Sequence, residues 1–140
     1  MIRKYITNVV VIAIVTVGVI AIAGWFSDIE KIRPVLASIA STKFNTAICL
    51  ILSAVALYAS NRQHKPPLLR KIGVGCAWGV VIIAALTLLE YITGIKLGID
   101  QAIVNDLGAE ANPGRIEVFA CLLFLKVGII LIHLQRPKGN

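Results

Sequence analysis

Charge is scarce in this sequence, and acidic charge most of all. The 140 residues include 7 Asp and Glu against 14 Lys and Arg, and charged residues make up 15% of the chain while hydrophobic ones reach 58%. With a mean hydropathy of +0.86, such a composition excludes a water-soluble domain of ordinary make-up. A second lack is of any polar stretch long enough to build a soluble domain beside the apolar one, which excludes a catalytic or DNA-binding output module within residues 1–140. The three cysteines, Cys49, Cys76 and Cys121, each lie in an apolar block without C-x-x-C spacing. They read as small buried hydrophobes, not as a metal or redox motif. No Ser-His-Asp set, paired carboxylates or Gly-rich phosphate loop is present, so the sequence gives an enzyme nothing to rest on.

What is present is a series of long uncharged blocks. They are the mark of a membrane bundle, in which lipid is the solvent for most of the chain. The expected fold is all-α: one polytopic membrane domain over 1–140 with four spans, TM1 at 5–27, TM2 at 44–61, TM3 at 72–91 and TM4 at 117–135. TM1 follows Arg3 and Lys4 as a signal peptide would. Its apolar run is too long for a signal h-region, however, and Gly24-Trp25-Phe26 is a poor cleavage site, so it reads as a retained span. TM2 and TM3 are short for a bilayer core of about 30 Å. Between them lies a tight basic hairpin holding Arg62, His64, Lys65, Pro66, Pro67, Arg70 and Lys71.

Orientation follows from where the basic residues fall. The N-terminus, the 62–71 loop and the C-terminal tail hold Arg3, Lys4, Arg62, Lys65, Arg70, Lys71, Arg136 and Lys138 and no acidic residue, which places all three on the cytoplasmic side. The connections 28–43 and 90–117 contain every Asp and Glu and belong outside. The net charge of +7 thus meets phospholipid headgroups, and nucleic acid is not an expected partner. Both outer connections carry apolar residues at helical spacing. In the first these include Ile32 and Leu36 opposite Glu30, Lys31 and Arg33; in the second Ile99 and Ile103 lie around Asp100 and Asp106. Each is expected to form a short amphipathic helix in the interface or over the outer end of the bundle.

Aligning Lys43–Leu50 with Arg115–Leu122 superposes a basic residue, a Cys-Leu pair and the apolar run after each. TM2 and TM4 therefore read as related, and the chain as two related hairpins, each a helix, an outer segment and a helix. At these residues the chain resembles the N-terminal membrane-embedded input region of bacterial sensor histidine kinases and diguanylate cyclases. The resemblance rests on Lys43-Phe44-Asn45-Thr46-Ala47-Ile48-Cys49-Leu50, Thr87-Leu88-Leu89-Glu90-Tyr91-Ile92-Thr93-Gly94, Leu97-Gly98-Ile99-Asp100-Gln101 and Pro113-Gly114-Arg115, and covers roughly residues 20 to 134. In such proteins an Asn-Thr-Ala motif recurs after Pro-Gly-Arg, where this sequence has Glu117-Val118-Phe119. The resemblance implies a bacterial inner membrane, a non-catalytic sensing role and no catalytic residues, cofactor or defined ligand. It also implies a signalling helix and a kinase or cyclase beyond the last span. The sequence ends at Asn140, which leaves two expectations: an input domain taken from a longer protein, or a free-standing accessory subunit of a larger membrane complex.

Two ionisable residues fall in or beside the spans, Glu90 and Lys126. By helix rise Glu90 lies about 28 Å from Lys71 and Lys126 about 15 Å from Arg136, roughly two turns apart in depth, so they are not expected to pair directly. Glu90 reads as an interfacial carboxylate at the outer mouth, or else as a ligand or proton site. Lys126 reads as snorkelling or internally hydrogen-bonded, or else as a contact with a partner helix. Gly75-x-x-x-Gly79, beside Gly73 and Ala77, and Gly18 in TM1 are the expected helix-packing points. Trp78 is expected to pack inside the bundle. His64 and His133 show no metal-ligand spacing, and no metal or other cofactor is expected. The expected partners are the lipid bilayer and other membrane chains or further copies of this one.

Overall fold

The computed structural model describes residues 2–26, 43–61, 66–95, 97–98 and 115–136. The expected outer amphipathic residues Ile32, Leu36, Ile99, Asp100 and Ile103, and the loop residue His64, lie outside them. Among the described residues there are four α-helices: α1 (Ile2–Phe26), α2 (Phe44–Ser60), α3 (Pro67–Thr93) and α4 (Val118–Gln135). Three of these, within Lys4–Gly24, Pro67–Thr93 and Val118–Gln135, are long and apolar enough to cross a membrane; the 17-residue α2 is apolar but shorter.

The helix ends follow local chemistry. The start of α3 is five residues earlier than the expected span, inside what the sequence reads as a basic loop. Pro67 takes the first turn, where its missing N–H is no loss and its fixed φ suits the helix. The Arg70 N–H then donates to the Pro66 carbonyl at 3.2 Å. Arg70 and Lys71 are exposed on this turn, so the charges lie on the helix and not between helices. At 27 residues α3 is about 40 Å long, more than a bilayer core requires, and its basic first turn can stand in the headgroup layer. Gly94 ends it in the left-handed region (φ 69°), its N–H donating to the Glu90 carbonyl at 3.0 Å, a conformation that suits a residue without Cβ. α4 ends at Arg136, held extended at ψ 139° as the residue before Pro137 must be.

α2 is the central helix: it packs against α1, α3 and α4, and α3 and α4 pack on each other. Its buried positions are mostly small, with Ala47, Cys49, Ala54, Ala56 and Ala59 all fully enclosed, so neighbouring backbones come close on more than one side. α3 runs antiparallel to α2, since Gly73 meets Ala59 while Gly79 meets Leu52. It is also antiparallel to α4, with Gly73 against Gln135 and Ala77 and Val81 against Gly128. One apolar cluster joins Cys49, Val80, Ala84, Ile116, Cys121 and Phe124, and a smaller one joins Ala56, Ala77 and Leu131.

The glycines expected at helix contacts divide three ways. Gly18 is tight: a Cβ there would lie 2.7 Å from Ile51 and 3.3 Å from the Ala47 carbonyl, so it seats α1 on α2. At Gly79 an added Cβ would lie 3.3 Å from the Leu52 side chain. Gly75 makes no close approach to the other described helices, because a Cβ there would meet nothing within 4 Å, so a packing role for it needs a helix from outside them. The close approach on this part of α3 belongs to Gly73, whose added Cβ would be 2.6 Å from Ala59 Cβ and 2.5 Å from Gln135 Nε2. Residues two positions apart on a helix point some 200° from each other, so Gly73 facing inward turns Gly75 outward. Trp78 also departs from expectation: it is 49% exposed on the outer surface of the helices instead of packed within.

Candidate functional site

Apart from Ser53 in the middle of α2, the buried polar residues lie towards the two ends of the helices. At the end opposite the basic turn of α3, the last turn of that helix carries Glu90 inward, where only 1% of the residue is exposed. The helix ends in the left-handed turn at Gly94, and beyond it the Leu97 N–H donates to Glu90 Oε1 at 2.6 Å. Arg115, in the extended lead-in to α4, places Nη2 3.2 Å from Glu90 Oε2. The arginine side chain is 10% exposed, and its guanidinium carbon lies 5.1 Å from the centre of the Tyr91 ring, so one cation is held by a carboxylate and an aromatic face together. Ile116, fully buried beside it, sends its carbonyl to the Cys121 Sγ, which donates weakly at 3.7 Å.

This arrangement ties three pieces of chain into one joint: the end of α3, the segment leaving it and the segment entering α4. It accounts for how a carboxylate tolerates burial, since ionised Glu90 receives both a positive charge and a backbone donor. Sequence reading places Glu90 at the mouth of the helices, but not as the anchor of this joint. Arg115, 25 positions away, was legible as the lone basic residue before TM4, matching Glu90 as the lone acidic residue at the end of TM3. Only antiparallel packing of the two helices puts them at one level.

At the other end Gln135, 2% exposed, donates from Nε2 to the Ala56 carbonyl at 2.7 Å and fills the space left by Gly73. That contact joins α2, α3 and α4 across 79 positions of sequence, and no feature of the sequence singles it out. Thr87, fully buried, donates to the Ile83 carbonyl of its own helix at 3.0 Å, which is how a hydroxyl is usually satisfied in an apolar helix.

Lys126 is elsewhere altogether. It stands near the middle of α4 on the exposed face, eight residues from Val118 and nine from Gln135, about 12 and 13.5 Å by helix rise. It is well separated from Glu90, whose cationic partner is Arg115. His133 is exposed about two turns further along, its Nδ1 2.9 Å from the Ile129 carbonyl, which can accept a hydrogen bond from it. Among the described residues no group of three His, Cys, Asp or Glu side chains is placed to hold a metal ion.

The fold and these polar joints define an all-helical protein with apolar helices of membrane-spanning length. Comparison with protein-family models, with curated proteins and with solved structures finds no match to this chain.

Proposed function

We propose that the chain is a non-catalytic membrane module of the sensor-input type, which acts by shifting helix packing within itself or against partner chains. In this reading all four helices cross a bacterial inner membrane as two related hairpins, with both termini in the cytoplasm. Three lines of argument support it: the Lys and Arg residues concentrate in the connections assigned inside, the motifs resemble those of kinase and cyclase input regions, and no catalytic constellation is present in the sequence. The observation that carries it is the Glu90 joint. A buried carboxylate clasping both the segment that leaves α3 and the residue that leads into α4 is a direct link from the outer connection to the helices. Whatever rearranges that connection must strain or release Glu90, and through it the relation of α3 to α4. Helix shifts of about 1–2 Å suffice for signalling of this kind.

The test is made at the far end. Leu57 on α2 and Ile132 on α4 pack against the same small cluster there. In a background with the three native cysteines replaced by alanine, cysteines at these two positions report helix spacing through their rate of disulfide formation in membranes. Glu90→Gln is expected to change that rate although it lies at the opposite end. An unchanged rate in Glu90→Gln and in Arg115→Gln means a static joint and sinks the sensing proposal.

A second reading, a small accessory subunit of a larger membrane complex, is favoured by one observation, the exposed cation in the middle of α4. Both readings require α4 to lie in lipid.

A further inference from the structure

The face of α4 that carries Lys126 is turned away from the other described helices. One and two turns to either side along the same face lie Phe119, Leu122 and Leu123, then Ile129, Ile130 and His133, all exposed. In a membrane an apolar stripe of this kind meets lipid and needs no other partner. A lysine at its centre does, because a cation facing hydrocarbon is costly and such residues are found against a counter-charge or a polar cavity. Two routes out are closed by geometry. The Lys side chain reaches about 6 Å, roughly half the distance to either end of α4, so snorkelling leaves the ammonium inside the hydrocarbon. Among the described residues there are two carboxylates: Glu117 is nine residues or about 13.5 Å away along α4, and Glu90 is engaged by Arg115.

The charge itself says what belongs there. A second copy of this chain cannot supply the counter-ion. In sequence its seven acidic residues, at 28, 30, 90, 100, 106, 110 and 117, all fall outside the uninterrupted apolar runs or at their ends; of the two that are described, Glu117 lies nine residues, about 13.5 Å by helix rise, from Lys126 and Glu90 is engaged by Arg115. We infer that the Lys126 face of α4 docks a transmembrane helix of a different protein, one with an Asp or Glu near its midpoint. The ammonium and the carboxylate meet at the centre of the contact, and the apolar residues on either side exclude water and lipid from the pair. The inference rests on α4 crossing the membrane, a part of the reading above, and not on the sensing role.

The experiment uses the full chain in the membranes of the cells that make it. Carbonate extraction comes first; release into the soluble fraction overturns both the membrane reading and this inference, whereas retention isolates the inference for testing. A photoreactive phenylalanine analogue is then placed at Leu123 or Ile130, which flank Lys126, and at Trp78, exposed on α3, as a control. The expected result is a protein adduct from the two α4 positions whose cross-linked peptide lies in an apolar segment containing Asp or Glu. Lys126→Met should lower its yield about tenfold, the scale of a buried polar contact between membrane helices. Lys126→Arg should retain it, and Lys126→Glu combined with Lys at the partner's acidic position should restore it. Because Lys126 is exposed and stands clear of the other described helices, Lys126→Met should leave the melting temperature of the purified protein unchanged, which separates loss of docking from loss of folding. Adducts to lipid alone, to a second copy alone or to a segment without an acidic residue overturn the inference, as does a yield indifferent to Lys126→Met.

Discussion

Glu90, Arg115 and Lys126 show how differently three charged residues of one apolar chain are treated. The first two share a site with 1% and 10% exposure, so each is the other's reason for tolerating burial. Removing one leaves the other enclosed without its counter-charge, and Glu90→Ala or Arg115→Ala should each lower the unfolding free energy by about 2–4 kcal/mol. The double substitution should cost less than the sum by at least about 1 kcal/mol, since the second change removes a group already stranded. Unfolding titrations in mixed micelles measure both; additive costs would show that the two side chains do not act as a pair. Glu90→Gln is milder in shape, keeping an acceptor for the Leu97 N–H while removing the charge that Arg115 answers. Lys126 belongs to the opposite case, since its substitution should register only in the presence of a partner.

At the level of the helices, packing turns on where a side chain is missing. Gly73 and Gly75 are two positions apart on α3 and equivalent in any composition-based reading, yet one faces Ala59 and Gln135 and the other faces outward. A methyl group at Gly73 has to displace Ala59 or the Gln135 amide, and the latter is held by its bond to the Ala56 carbonyl. Gly73→Ala should therefore destabilise the protein by about 1–3 kcal/mol through overpacking. Gly75→Ala should be neutral or slightly stabilising, because alanine is the better helix former by nearly 1 kcal/mol and meets nothing. Thermal unfolding of the two variants side by side tests this, and equal effects would contradict the facing assigned to α3.

Taken whole, the molecule has a closely packed set of α2, α3 and α4, with α1 laid along α2 through Gly18. The cysteines report on this arrangement without any added probe. Cys49 and Cys121 are buried in the larger cluster, while Cys76 on α3 is half-buried. In detergent a small maleimide should modify Cys76 first and the other two only as the helices separate, with all three reacting in denaturant. Mass spectrometry over time resolves the order; early labelling of Cys49 or Cys121 would mean that the cluster is open.

The sequence by itself determined the four helices seen among the described residues and most of their limits, because uninterrupted apolar runs of this length bounded by charge have few other uses. It also determined the class, all-helical with apolar helices of membrane-spanning length, for the same reason. It misplaced the start of α3, where Arg70 and Lys71 read as loop although a proline-started helix accommodates them. The helix facings were left to tertiary structure. α3 and α4 are apolar on nearly every side, so periodicity, which in water separates an inward face from an outward one, carries little information about which side meets a neighbour. Only packing could decide that Gly73 and not Gly75 lies at the contact, that Gln135 closes the gap beside it, and that Glu90 is answered by Arg115 while Lys126 is turned outward.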